Sequence, residues 1–259
     1  MQVENKTVIV TGGGSGIGRA LCQAFAAAGA RGVVVSDIDA ASAKRVAEEI
    51  GGLAVAADVA QESEVQNLVE KTREAYGQVD LFCCNAGIAL EGGAEVTDAD
   101  WKRIMDINFM AHVYAARAVL PEMLERGEGA FLVTSSAAGL LTQIGSAPYA
   151  VSKHAAVAFA EWLSVTHGDQ GLEVFWLCPQ GVRTNMMHQF EDESAIGDYL
   201  AQVAIDPEDV AAAVLEAMAE GRFLVLPHPE VLDFFQRKAS DYDRWIGGMR
   251  RFQAKLGKG

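Results

Sequence analysis

The sequence predicts an α/β protein, a doubly wound parallel sheet with helices on both faces. Three observations carry this. Short apolar runs alternate with helical segments, the order of right-handed βαβ units. Those runs are continuously apolar rather than alternating, as strands buried on both faces must be. No Pro-, Gly- or Ser-rich linker and no internal repeat interrupts the series, so residues 1–259 read as a single domain.

Taken in order, Thr7 to Val10 is a β-branched strand that runs into Gly12-Gly13-Gly14-Ser15-Gly16, and Gly16 to Ala28 follows as an alanine-rich helix stopped by Gly29. Gly32 to Ser36 is the second strand, with Asp37 at its end and a helix from Ala40 to Ile50. Leu53 to Ala57 is the third, followed by Asp58 and a charged helix through Tyr76, and Val79 to Cys84 is the fourth. One long helix covers Trp101 to Arg126 before the fifth strand, Ala130 to Thr134. A helix from Ser146 to His167, a strand from Leu172 to Leu177, a helix from Pro207 to Glu220 and a last strand from Arg222 to Leu226 complete the series. Two stretches break it. Residues 184–200 read as a substrate lid, because ligands of such sheets bind beyond the carboxyl ends of the strands. The other is the tail from residue 227 onward.

Composition narrows the function. Half of the 259 residues are hydrophobic, 22% are charged and six are proline, which excludes a disordered chain. Lys and Arg number 21 against 35 Asp and Glu, a formal charge of −14 that repels phosphate backbones, so no nucleic-acid partner is expected. No stretch reaches the ~18 apolar residues of a membrane span, and Met1 to Lys6 shows no signal core. Cys22, Cys83, Cys84 and Cys178 fall in no metal-binding spacing and read as reduced thiols of a cytoplasmic protein.

The chemistry begins at the glycine turn, Gly12 to Gly18 with Ser15 and Ile17 inside it, directly after a strand and before a helix. Glycines there let a pyrophosphate approach the free N–H groups and positive dipole end of the helix. A P-loop needs Gly-Lys-Ser/Thr, but Arg19-Ala20 follow Gly18; a nucleophile elbow around Ser15 needs glycine where Ile17 stands. Asp37 is placed to accept both ribose hydroxyls of an adenosine and to repel a 2′-phosphate, and no basic residue stands at Ser15 or Ile38, so NAD is expected over NADP. Tyr149 and Lys153, spaced i and i+4, share a helix face, and Ser136 ends the fifth strand. An ammonium beside a phenol favours phenolate, as a tyrosine acid/base requires.

Together these residues resemble the short-chain dehydrogenases/reductases, over a span from Lys6 to about Leu226. Thr11 to Gly18 looks like that family's cofactor turn, Asp58-Val59 its adenine-contacting pair, and Asn85-Ala86-Gly87 the motif beside the cofactor on the central sheet. Asn108, Ser136, Tyr149 and Lys153 match its catalytic tetrad. The resemblance implies a Rossmann-type fold holding NAD. It also implies a hydride transfer between nicotinamide and a secondary alcohol or ketone, with tyrosine exchanging the proton. In the implied roles serine holds the substrate oxygen, lysine the nicotinamide ribose and asparagine a proton-relay water. Pro179, Val182 and Thr184 keep the places beside the nicotinamide.

Gln180 departs from the pattern, which has glycine after the proline; either it fills a loop or its amide touches substrate. Gln143, Gln180 and Met186, with Met187 and Phe190, are the candidate substrate contacts. Two other function classes are weighed. A sugar-nucleotide epimerase or dehydratase would carry a larger C-terminal substrate domain than the short stretch after Leu226. An idle dinucleotide sensor would have no use for an intact Ser136, Tyr149 and Lys153. Apolar residues on more than one face of the Trp101–Arg126 and Ser146–His167 segments point to a homotetramer or a homodimer. The apolar tail is expected to cover a neighbouring subunit or the substrate mouth.

Overall fold

Thr7–Thr11 (β1) is buried along its length, and its side chains divide between two cores: Val8 and Val10 pack on one face and Ile9 on the other. The computed structural model, which describes residues 1–188 and 201–256, repeats that division across a seven-stranded parallel sheet. The remaining strands are Gly32–Asp37 (β2), Leu53–Ala56 (β3), Leu81–Cys84 (β4), Gly129–Thr134 (β5), Leu172–Leu177 (β6) and Leu224–Val225 (β7), in spatial order β3-β2-β1-β4-β5-β6-β7. One face is covered by Gly16–Ala27 (α1), Ala40–Ile50 (α2) and the helix Pro207–Glu220. The other is covered by Glu62–Tyr76 (α3), Ala111–Glu125 (α5) and Ala147–His167 (α7). Continuous apolar strands are the sequence counterpart of this two-sided burial. Strand order reverses between β1 and β4, which opens a crevice at their carboxyl ends.

The helix expected from Trp101 to Arg126 is three pieces: Asp98–Met105 (α4), a π turn at Asp106–Met110, and α5. The extra residue in the π turn rotates α5 relative to α4, and Asn108 inside it is fully buried. The fourth strand begins at Leu81 rather than Val79, because the Asp80 carboxylate accepts the Thr7 N–H at 2.8 Å and an Arg31 N–H at 3.2 Å. A short helix that the periodicity misses, Ala138–Leu141 (α6), follows Ser136 and ends at Thr142, whose φ is +74°. After α7 come Asn185–His188 (α8), Pro207–Glu220 (α9), Glu230–Ser240 (α10) and Tyr242–Leu256 (α11), so the tail is a pair of helices. Most of the expected lid, and Phe190, lie outside the described residues.

Candidate active site

The crevice between β1 and β4 is the mouth of a cleft of about 810 Å³. Its floor is the glycine turn. Gly12 and Gly16 have φ of +63° and +50°, a backbone region that side chains disfavour. A Cβ on Gly18 would lie 2.0 Å from Gly12 O, so nothing larger than glycine closes this turn. At the end of β2 the Asp37 carboxylate accepts N–H groups of Gly14 and Asp39, each at 3.0 Å, which orients it while leaving lone pairs for a ligand. Beside it Ile38 is 73% exposed and lines the cleft, an apolar face next to the acid.

Asp58 and Val59 line the same end; the Asp58 carboxylate accepts the Ala60 N–H at 3.0 Å. Asn85 clamps β4 to β1: its amide donates to Thr11 O at 3.0 Å, and the Thr11 hydroxyl accepts the N–H groups of Asn85 and Ala86 at 3.0 and 3.1 Å. Ala86 and Gly87 continue the wall. These fixed N–H groups, acids and Cβ-free positions fit a dinucleotide.

Ser136, Tyr149 and Lys153 meet where the cleft turns past β5. The Ser136 hydroxyl accepts the Ala138 N–H at 3.1 Å, so the start of α6 fixes its rotamer. Lys153 is buried; its Nζ donates to Thr134 O at 3.0 Å and stands 5.6 Å from the centre of the Tyr149 ring. Burial pushes the Lys153 ammonium down from 10.5 to about 8. Burial also raises the Tyr149 phenol, and its hydrogen bond with Ser136 pulls the other way. The expectation that Lys153 sets a lowered phenol is therefore not what this arrangement gives: desolvation is the larger effect on both groups.

Asn108 stands behind the cleft wall rather than on it. Its Oδ1 accepts the Ile88 N–H at 2.8 Å, and its Nδ2 donates to Ile88 O at 2.9 Å and to Ser152 Oγ at 3.0 Å. Ser152 in turn donates to Tyr149 O at 2.9 Å, so Asn108 braces the first turn of α7.

Beyond the tyrosine the cleft becomes apolar. Pro179, Val182, Thr184, Gln143, Gln180, Met186 and Met187 line it, with Pro179 O against Ser136 and Thr184 beside Gly16 of the glycine turn. The Gln180 N–H donates to His228 Nδ1 at 3.1 Å, and the opposite nitrogen of that ring meets Val203 O at 3.1 Å, so His228 ties the loop after β6 to the segment before α9. Phe234, Trp245 and Met249 of α10 and α11 close the outer wall. Lys238 anchors these helices: its buried Nζ donates to Leu140 O at 2.5 Å and lies 5.4 Å from the centre of the Tyr242 ring. Sequence reasoning missed Ser152, His228 and Lys238; the apolar tail, expected to cover a neighbouring subunit or the substrate mouth, lines the cleft with Phe234, Trp245 and Met249. Among the described residues no cluster of His, Cys, Asp or Glu could hold a metal ion, and no helix is long and apolar enough to cross a membrane.

Comparison with known proteins agrees with this geometry. Residues 6–195 match the family model for short chain dehydrogenase. The chain is similar to 1-deoxy-11-beta-hydroxypentalenate dehydrogenase of Streptomyces exfoliatus, with 35% identity over 89% of this chain and 86% of that one. It is 30% identical to a cyclohexanol dehydrogenase of Acinetobacter sp., over 88% of this chain and 94% of the relative. A short chain dehydrogenase/reductase from Burkholderia phymatum, solved in complex with NAD, superposes with a TM-score of 0.85 at 28% identity and covers 94% of this chain and 96% of its own.

Proposed function

The chain belongs to the short-chain dehydrogenase family, and from that premise we propose an NAD-dependent dehydrogenase or carbonyl reductase for secondary alcohols and ketones. The observation that carries the reading is one cleft with Asp37 at one end and Ser136, Tyr149 and Lys153 at the other. Gly12, Ser15, Gly16, Ile17, Gly18, Asp58, Val59, Asn85, Ala86, Gly87, Pro179, Val182 and Thr184 would hold the dinucleotide. The nicotinamide, when bound, supplies or takes up the hydride.

The chain's own task is the proton. Ser136 Oγ orients the substrate oxygen, and Tyr149 Oη takes its proton in oxidation or gives one in reduction. Lys153 Nζ has one of its three donors on Thr134 O and can reach the nicotinamide ribose with another. Asn108 keeps this group in register through Ser152. Asp37 favours NAD, since a 2′-phosphate would meet its charge.

For the substrate, the apolar outer wall and the relatives named for cyclohexanol and for a hydroxypentalenate support a medium-sized, partly apolar alcohol touching Gln143, Gln180 and Met186. We place the enzyme in the cytoplasm as one catalytic domain. Along α7, Val151 at 48%, Trp162 at 53% and Val165 at 87% exposure make an apolar face that suits a homotetramer, or failing that a homodimer. The deciding experiment titrates NADH and NADPH by fluorescence and then screens secondary alcohols with NAD. Tighter NADPH binding defeats the Asp37 assignment, and bound NADH with no turnover on any alcohol defeats the enzyme.

A further inference from the structure

Arg237 puts a positive charge into the apolar outer wall of the cleft. It is exposed, and it lines the cleft together with Phe234, three residues earlier on the same face of α10. The guanidinium carbon lies 5.9 Å from the centre of the Phe234 ring. Its neighbour Lys238 bonds to Leu140 O in α6, the short helix that follows Ser136. The anchor that seats α10 therefore also fixes where Arg237 stands relative to the catalytic group.

Among the described residues no acid answers this charge. Arg237 has no ion pair there, although Asp233 stands one turn before it and Asp241 one turn after. The Asp241 carboxylate instead accepts the Arg244 N–H at 2.9 Å, at the start of α11. The carboxylates that line the cleft are Asp37 and Asp58, both at the adenosine end, whereas the wall beside Arg237 is Phe234, Trp245 and Met249. Two other cations line the cleft. Lys153 belongs to the catalytic group, and Arg103 comes from α4, which packs on α7, whereas α10 packs on α6. A guanidinium fork matches a carboxylate with two parallel N–H donors, and the apolar wall offers a phosphate nothing more to bond to.

We propose that Arg237 holds a carboxylate of the substrate, so that the preferred substrates are hydroxy acids, or the matching keto acids, whose apolar body separates the reacting carbon from an anionic end. The inference deepens the dehydrogenase reading above and rests on it. The carboxylate takes no part in the chemistry: the hydroxyl oxygen lies on Ser136 and its proton goes to Tyr149 as before. The apolar body crosses the cleft along Phe234 and Trp245, and the guanidinium meets the anion at the far end. In a chain of formal charge −14, this cation also offsets the repulsion that an anion meets at the mouth. An arginine that only rested its stem on Phe234 would bind no anion, and experiment separates the two.

The first test measures oxidation by NAD of 7-hydroxyoctanoate, 9-hydroxydecanoate and 11-hydroxydodecanoate, each against its methyl ester. At the length that spans the cleft the acid should exceed its ester about tenfold in kcat/KM, chiefly through KM. Added salt should raise the KM of the acid and not that of the ester. Arg237→Gln should erase the preference by raising the KM of the acid toward that of its ester, and Arg237→Lys should keep part of it. Esters used as well as acids at every length, a preference that survives Arg237→Gln, or one that Arg103→Gln removes instead, overturns the proposal. The second test needs no turnover: decanoate and decanamide are titrated by calorimetry into the protein saturated with NADH. Decanoate should bind about tenfold more tightly and lose that advantage in Arg237→Gln. Equal binding of the two, or equal losses in the variant, makes Arg237 a solvated rim residue only. If the unmodified protein oxidises neither acids, esters nor simple alcohols, the dehydrogenase reading falls, and the decanoate titration still decides whether Arg237 holds an anion.

Discussion

The two ends of the cleft are built by different means. The adenosine end is made from backbone: the turn Gly12 to Gly18, N–H groups that hold the Asp37 carboxylate, and a clamp between Asn85 and Thr11. Its residues are neighbours in sequence or sit at the ends of paired strands. The substrate end is made from side chains that the chain brings from afar: Leu141 after β5, Met186 after β6, Phe234 and Trp245 from the last two helices. Backbone geometry tolerates almost no replacement, whereas a wall of apolar side chains keeps its shape under many. One fold can therefore hold its cofactor site fixed while the outer wall changes with the substrate.

The sharpest break between the two ends is at their seam. Tyr149→Phe should lower kcat by at least the ~10²-fold typical of positioned acid/base groups while leaving NADH affinity unchanged, read by steady-state kinetics and fluorescence titration. If NADH binding falls in parallel, the phenol is part of the cofactor end and the division is misplaced.

Lys153 tests the same seam through stability. Its folded-state value of about 8 lies below the ordinary 10.5 because burial disfavours the ammonium. Between those values the unfolded chain holds more protons than the folded one, so this group makes stability rise with pH across that window and costs most below it. At ~1.4 kcal/mol per pH unit, less the lost bond to Thr134 O, Lys153→Met should be about 2 kcal/mol more stable than the parent at pH 7. That gain should fall by about 3 kcal/mol as pH rises to 10.5 and change sign, because the lost bond to Thr134 O remains once the burial penalty is gone. Urea melts of both proteins across the range measure it, and a variant less stable at pH 7 means that the charge is better solvated than its burial implies.

Legibility in the sequence follows the same division. The sheet was readable because strands buried on both faces are continuous apolar runs, and the glycine turn because Gly18 has no room for a Cβ beside Gly12 O. Asp37 was readable from its place at a strand end. The π turn was not, since Asp106–Met110 carries residues that suit an α-helix equally well. Hydroxyl braces such as Thr11 and Ser152 leave no spacing pattern, because each bonds to backbone that folding brings near. The tail was legible as an apolar cover, but not as to which of two things it covers, a neighbouring subunit or the substrate mouth; that depends on Lys238 meeting Leu140 O across almost a hundred residues.

A cofactor-end change should leave the other end untouched. Replacing Asp37 with alanine removes the charge that opposes a 2′-phosphate, so the preference for NADH over NADPH should narrow about tenfold. The KM for the alcohol should stay as it was. An unchanged cofactor preference would shift the discrimination to other groups around Ser15.

The smallest effect is expected at the outer wall, where Trp245 and Phe234 face the cleft from separate helices. Trp245→Ala removes a large apolar surface but not the anchor, since Lys238 still holds α10 to Leu140 O. A bulky cyclic alcohol should lose part of its contact and show a KM raised about three- to tenfold, the scale of one or two missing apolar groups in a pocket. A short alcohol such as 2-butanol, which would reach Ser136 and Tyr149 without touching that wall, should keep its KM, and NADH affinity should not move. Equal losses for both alcohols would mean that Trp245 supports the catalytic group through α6. No loss for either would place the substrate on the Gln143 and Met186 side of the cleft.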